Sequence, residues 1–125
     1  MRLNTILYVK DQAASRAFYA IALGKAPRLD VPGMTEFELF EGCVLGLMPE
    51  RGIKRLLPGM PDPETAAGIP RAELYLTVPE PAVYHARALA AGAKELSPLE
   101  PRDWGDTAAY SLDPDGHVLA FACPL

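Results

Sequence analysis

The chain says nearly the same thing twice. Its first half runs Leu7-Tyr8-Val9-Lys10-Asp11, then a helical stretch from Ala14 to Leu23, then Gly24-Lys25, and later Glu41-Gly42-Cys43-Val44-Leu45-Gly46-Leu47. The second half runs Leu76-Thr77-Val78-Pro79-Glu80, then Ala82 to Ala91, then Gly92-Ala93-Lys94, and later Asp115-Gly116-His117-Val118-Leu119-Ala120-Phe121. Val9 to Gly24 is 15 positions and Val78 to Gly92 is 14, so the halves superpose with one gap. Two copies of a unit near 70 residues are too few and too long for a solenoid. The pattern describes a duplicated small α+β unit.

The copies read βαβββ. Leu3 to Val9 is apolar and β-rich and ends at Asp11, a good N-cap for a helix in which Ala14, Phe18, Ile21 and Ala22 recur at helical spacing. Gly24 stands where a left-handed C-cap belongs. Strands are predicted at Pro27 to Val31, Met34 to Phe40 and Cys43 to Pro49, with turns at Pro32-Gly33 and Glu41-Gly42. In the second copy a strand over Ala72 to Val78 leads to a helix opened by Pro81 and ended by Gly92. Lys94 to Ser97, Asp106 to Leu112 and His117 to Cys123 follow as strands, with Asp113-Pro114-Asp115-Gly116 as a turn. The organisation expected is one domain over 1–125: a module at 1–49, a Pro-rich linker or lid at 50–70, and a module at 71–125.

Composition narrows the partners. A net charge of −4 and a pI near 5.1 argue against nucleic acid, whose binders gather Lys and Arg on one face. Arg51, Lys54 and Arg55 are the nearest approach to a basic cluster and read as a solvated loop. No run approaches the ~18 apolar residues of a membrane span, and no basic leader precedes an apolar stretch, so a cytoplasmic protein without membrane contact is expected. Cys43 and Cys123 lie in apolar strand text, without a flanking His to activate either, and read as small reduced hydrophobes.

At Phe18-Tyr19 with Leu23-Gly24, more loosely at Ala91-Gly92-Ala93-Lys94, and at Asp113-Pro114-Asp115-Gly116-His117, the chain resembles the vicinal oxygen chelate superfamily. That group includes glyoxalase I, extradiol dioxygenases, fosfomycin-resistance enzymes and bleomycin-resistance proteins. The resemblance covers Leu3 to Cys123 and implies an α+β fold in which paired βαβββ modules form an open, barrel-like mixed sheet around a cavity, with helices outside, usually in a homodimer. In its metal-dependent members the ligands come from the first and fourth strands of each module. Counting back from Val9 and Val78, and on from Gly42 and Gly116, those positions here are Asn4, Glu73, Gly46 and Ala120. Two lack a donor atom and Asn4 is a weak neutral ligand, whereas divalent metals take about three protein ligands from His, Cys or carboxylate. The resemblance is therefore closest to the metal-free, bleomycin-resistance-like branch, with no metal and no cofactor expected. His85 reads as a partly exposed helix residue, and His117 sits in a strand-entry turn with the opposite parity to Ala120.

Strand alternation sorts what remains. If Asn4 faces the cavity, so do Ile6 and Tyr8, while Leu3, Leu7 and Val9 face the helices; in the next module Glu73, Tyr75 and Thr77 face in. Val44, Gly46, Met48, Val118, Ala120 and Ala122 supply a small, smooth floor, and loss of ligand side chains at Gly46 and Ala120 is expected to enlarge the cavity. Met34, Met48 and Met60 offer a pliable apolar wall. Trp104, the only tryptophan, is placed to stack on a flat or cationic ligand or to cover a sheet edge or dimer seam. Tyr8, Tyr75 and Tyr110 carry hydroxyls able to orient a ligand, with aromatic core filling as the other role. Glu73, facing an apolar cavity, would have its charged form disfavoured and would suit a general base; the other reading pairs it with Arg71, Arg102 or a tyrosine hydroxyl.

The leading expectation is a metal-independent small-molecule binding protein, of sequestering and drug-resistance-like character, with a dimeric cleft lined by Asn4, Tyr8, Met48, Glu73, Tyr75, Trp104 and Tyr110. Its rival is a glyoxalase-like lyase, isomerase or dioxygenase, metal-free with Glu73 as general base or metal-dependent if the alignment of the halves is shifted.

Overall fold

The computed structural model describes all residues, 1–125. The chain divides into two compact units, Met1–Ala20 with Lys25–Ala67, and Ile21–Gly24 with Gly68–Leu125. Each carries one four-stranded mixed sheet. The duplicated α+β architecture expected from the repeat is present, as two sheets that do not close into a barrel.

In the first unit, β1 (Leu3–Val9) leads through α1 (Gln12–Leu23), which this unit holds as far as Ala20, to β2 (Leu29–Val31), β3 (Met34–Phe40) and β4 (Cys43–Pro49), in sheet order β1-β4-β3-β2. β1 runs parallel to β4, and the other pairs are antiparallel. Asp11 caps α1 as predicted, its Oδ1 accepting the Ala14 amide at 3.0 Å. Gly24 ends the helix at φ 67°, letting the Lys25 amide reach back to the Ala20 carbonyl at 3.1 Å. Phe37, Leu45 and Leu47 are completely buried, and the Tyr19 ring packs 6.5 Å from Phe37. Each such large apolar side chain contributes about 1.5–3 kcal/mol on leaving water. Gln12 braces the hairpin that follows, donating to Val31 O and Thr35 Oγ1 and accepting from the Gly33 amide.

The segment after Pro49 departs from the expected irregular linker. Glu50–Leu56 forms α2, and a turn of 3-10 helix covers Pro63–Ala66. Arg51, Lys54 and Arg55 therefore belong to a helix rather than a solvated loop. Ile53 anchors it by burial, and Lys54 Nζ donates to the carbonyls of Pro58 and Met60 at 2.7 and 2.5 Å. Apart from Pro49, which stands just before α2, the prolines that suggested a linker lie beyond the end of the helix, so helix-breaking composition over the whole stretch concealed seven helical residues.

The second unit repeats the order: β5 (Glu73–Thr77), α3 (Pro81–Ala90), β6 (Lys94–Pro101), β7 (Asp106–Leu112) and β8 (Val118–Pro124), in sheet order β5-β8-β7-β6. β6 extends beyond the predicted Ser97 to Pro101, with register shifts between Glu95 and Ser97 and between Ser97 and Glu100. An edge strand tolerates Pro98 because its outward amide has no partner to lose. α3 packs on β6, β7 and β8. His85, expected to be partly exposed, is buried there and pairs through Nε2 with Glu95 Oε2 at 2.8 Å. No helix is long and apolar enough to cross a membrane.

Candidate functional site

Register decides which side chains of the second sheet share a face. Tyr75 lies opposite Ala120, Ala120 opposite Tyr110, and Tyr110 opposite Ser97, so one row crosses all four strands. Two positions along, Glu73 pairs with Val118 and Val118 with Leu112; two positions the other way, Thr77, Ala122, Ala108 and Glu100 form the next row. Asp106, at the head of β7, has the same parity as Tyr110. Glu73, Tyr75, Tyr110 and Asp106 thus share one face.

Tyr75 and Tyr110 stand two strand spacings apart, about 9.5 Å, yet their ring centroids are 6.5 Å apart. The rings lean toward each other across Ala120, which is completely buried. The Tyr75 hydroxyl donates to Asp106 Oδ2 at 2.6 Å and accepts from Trp104 Nε1 at 3.0 Å. Trp104 remains 56% exposed, so a large indole is tied by its nitrogen while its ring stays open to solvent. Burial raises the Tyr75 phenol above its ordinary range, reinforced by the hydrogen bond to Asp106 and opposed by the one from Trp104. Burial likewise raises Tyr110, with the charge of Glu73 adding to it and that of Arg102 opposing it. Both phenols are neutral donors at physiological pH.

Arg102 closes the other side. Its guanidinium lies 5.3 Å from the Tyr110 ring centroid and bonds Glu100 Oε1, Ser97 Oγ and the carbonyls of Pro98 and Ala108. It is committed to β6 and β7 and makes no pair with Glu73. Glu73 itself is exposed and makes no hydrogen bond or ion pair. The carboxylate expected in an apolar cavity is therefore a solvated one. It sits at the start of an edge strand, where one flank of β5 carries no neighbour.

The remaining predicted residues, Asn4, Tyr8 and Met48, belong to the first unit. Asn4 and Tyr8 share a face of β1, exposed and half-buried respectively, and Met48 lies opposite Tyr8 on β4. Asn4 Nδ2 reaches Glu36 Oε2 at 3.5 Å, and the other oxygen of Glu36 accepts Nε and Nη2 of Arg28 at 3.1 and 3.0 Å. Glu36 holds the register position on β3 that Tyr110 holds on β7. Met60, the third methionine expected in an apolar wall, lies outside the strands, its carbonyl held by Lys54.

The positions that carry metal ligands in the resembling enzymes do not fit an ion. A Cβ at Gly46 would lie 3.1 Å from Ile6 Cγ1 and 3.2 Å from Met34 Sδ, so neighbouring side chains fill the space a ligand would need. Ala120 is covered by the tyrosines, Asn4 is turned to Glu36, and Glu73 stands alone. The sequence led us to expect an enlarged cavity at these two positions; at Gly46 the side chains of Ile6 and Met34 stand in that space instead, because close packing leaves few voids. Asp113, Asp115 and His117 do bring ligand atoms within 4.8 Å of one another. Asp113 Oδ1, however, accepts the amides of Asp115 and His117 at 2.9 and 2.8 Å, the bonding of a carboxylate that shapes a turn. Cys43 and Cys123 are free and half-buried.

Residues 2–121 match the model of the Glyoxalase/Bleomycin resistance protein/Dioxygenase superfamily. The chain belongs to this superfamily. Its relatives include an uncharacterised protein of Mycobacterium bovis, 29% identical over 123 residues that cover 94% of this chain and 80% of that protein. Among solved structures, a glyoxalase-related enzyme from Fulvimarina pelagi superposes with a TM-score of 0.83 at 26% identity, covering 98% of this chain and 87% of the other. A family enzyme from Burkholderia phytofirmans superposes with a TM-score of 0.79 at 17% identity, covering 98% and 97%; that likeness is one of fold. The superfamily spans binding proteins and enzymes, so membership leaves the choice between them to the site. Asp106 was missed in the sequence because it reads only as the start of a strand. A period-two count from Tyr110 would have placed it on the same face.

Proposed function

We propose that this superfamily member is a metal-independent small-molecule binding protein that sequesters its ligand, in the manner of a drug-resistance protein, and works as a homodimer in the cytoplasm. The observation that carries the reading is Trp104: an indole more than half exposed yet held by a hydrogen bond is an ordered aromatic surface without a partner for its ring face. Exposed aromatics fixed in this way are what flat or cationic ligands stack on. Glu73 and Asp106 add negative charge to the same face, and the charge of Arg102 is offset by Glu100. The crowding at Gly46 and the missing donors at Gly46 and Ala120 support ligand recognition without a metal ion.

A thermal-shift screen of metals, thiol conjugates and cationic antibiotics tests this, since a ligand that binds only the native state raises stability by mass action. A cationic aromatic compound is expected to raise Tm in the parent and not in Trp104→Ala. Stoichiometric Zn, Ni, Mn or Fe in freshly purified protein would reject the metal-independent reading. The second reading, a metal-free lyase or isomerase with Glu73 as general base, is favoured by the likeness to the Fulvimarina pelagi enzyme. It requires that Glu73→Gln abolish turnover of a thiol-conjugate substrate while leaving binding intact.

A further inference from the structure

The backbone around Trp104 is already closed by the chain itself. The Arg102 amide donates to the Asp106 carbonyl at 2.7 Å, the Gly105 amide to the Arg102 carbonyl at 3.3 Å, and the Leu125 amide to the Gly105 carbonyl at 3.0 Å. These bonds fix the tip of the turn but leave the indole free to rotate about its own side-chain bonds. Only one hydrogen bond restrains it, from Nε1 to the Tyr75 hydroxyl. A phenol is itself a rotor, and this one is oriented because its proton is given to Asp106 Oδ2 at 2.6 Å. With its proton directed at Asp106, the lone pairs of the Tyr75 oxygen are presented to Trp104. The order of the exposed indole is thereby set two side chains away, at Asp106.

We propose that Asp106 is a positioning residue which, through the Tyr75 hydroxyl, locks Trp104 into one orientation and so presents its ring as a preformed stacking surface. This rests on the reading of the Trp104 face as the small-molecule site. Two consequences follow. The Tyr75 hydroxyl is already engaged as donor and as acceptor, so a ligand is recognised by the indole ring and by the unengaged Oδ1 of Asp106 rather than by that phenol. And affinity depends on Asp106 through preorganisation, since a rotamer fixed in advance is not ordered at the cost of binding.

The protein itself supplies the probe, because Trp104 is its only tryptophan and all indole fluorescence comes from it. Time-resolved fluorescence anisotropy of the full chain, without ligand, reads local motion of this side chain. The lock predicts a slow, overall-tumbling decay in the parent and a fast local component in Tyr75→Phe and in Asp106→Ala. Asp106→Asn, whose amide oxygen still accepts the phenol proton, restores most of the slow decay. Circular dichroism reports the fold separately, and Tyr75→Phe, which removes one oxygen, serves if Asp106→Ala fails to fold. The binding arm uses N-methylquinolinium, a flat cation, followed by quenching of Trp104. Affinity is expected to fall about two- to tenfold in Tyr75→Phe, whereas Asp106→Asn keeps the slow decay but still loses affinity, because its amide NH2 stands where the unengaged Oδ1 met the cation. Equal anisotropy in parent and Tyr75→Phe overturns the lock. A fast component in the variants with no N-methylquinolinium binding in the parent upholds the lock and counts against the site reading alone.

Discussion

At the scale of single residues, a missing side chain was compensated by its neighbours. Gly46 shows this most directly, because Ile6 and Met34 occupy the space in front of it. Met34 is flexible, but Ile6 is β-branched and stiff, so Gly46→Ala is expected to destabilise by about 1 kcal/mol. Urea denaturation checks this, and the substitution should cost less in a Met34→Ala background, where the Sδ in front of Gly46 is gone. The tyrosines supply a second residue-scale expectation. Tyr75 and Tyr110 both hold their protons more tightly when folded than the ordinary phenol value of 10.0. Above that pH the folded state binds more protons than the unfolded one, so stability falls as pH rises. Their contribution is complete below pH ~10 and is lost as the pH passes through the raised folded values. Equilibrium unfolding between neutral pH and pH ~11 should show the decline, and Tyr75→Phe should lessen it.

At the scale of elements, the repeat was legible because caps and turns are local. Asp11, Gly24, Pro81 and the Asp113-to-His117 turn depend on residues within a few positions of one another, and the structure places each as expected. Helix α2 was not legible, because its seven residues are held by the burial of Ile53 and by packing against β4 and the distant β1. Two glycines at positive φ allow a comparison between elements. At Gly24 a Cβ would meet only the end of the Arg87 side chain, 2.5 Å away, whereas at Gly116 it would meet the Gly68 backbone oxygen at 2.6 Å. Arginine can swing aside and backbone cannot. Gly24→Ala is expected to lose about 1–3 kcal/mol from the left-handed conformation alone, and Gly116→Ala distinctly more. Thermal denaturation of the two variants, compared directly, tests the ordering.

At the scale of the whole molecule, two copies of one unit have diverged on corresponding faces. The first copy carries Asn4, Glu36 and Arg28 where the second carries Glu73, Tyr110 and an arginine stacked on that tyrosine. Neither unit holds the three donors a divalent ion takes at the inherited positions. Exhaustive chelation is therefore expected to leave Tm unchanged, because an ion bound to the native state would add stability by mass action. A drop in Tm on treatment with EDTA, reversed by one added metal, would contradict this.

Period, parity and capping could be read from the residues themselves: the duplication, the βαβββ order, and seven of the eight strands to within about two residues. These follow from interactions between residues near in sequence, or from the identity of a side chain. The length of β6, the helix after Pro49, the filled spaces at Gly46 and Ala120, the burial of His85 and the joining of Asp106, Tyr75 and Trp104 were decided only by tertiary structure. Each depends on distance between residues far apart in the chain. Asp106 lies 31 residues from Tyr75, and only the register of β5, β8 and β7 brings them within reach of one hydrogen bond.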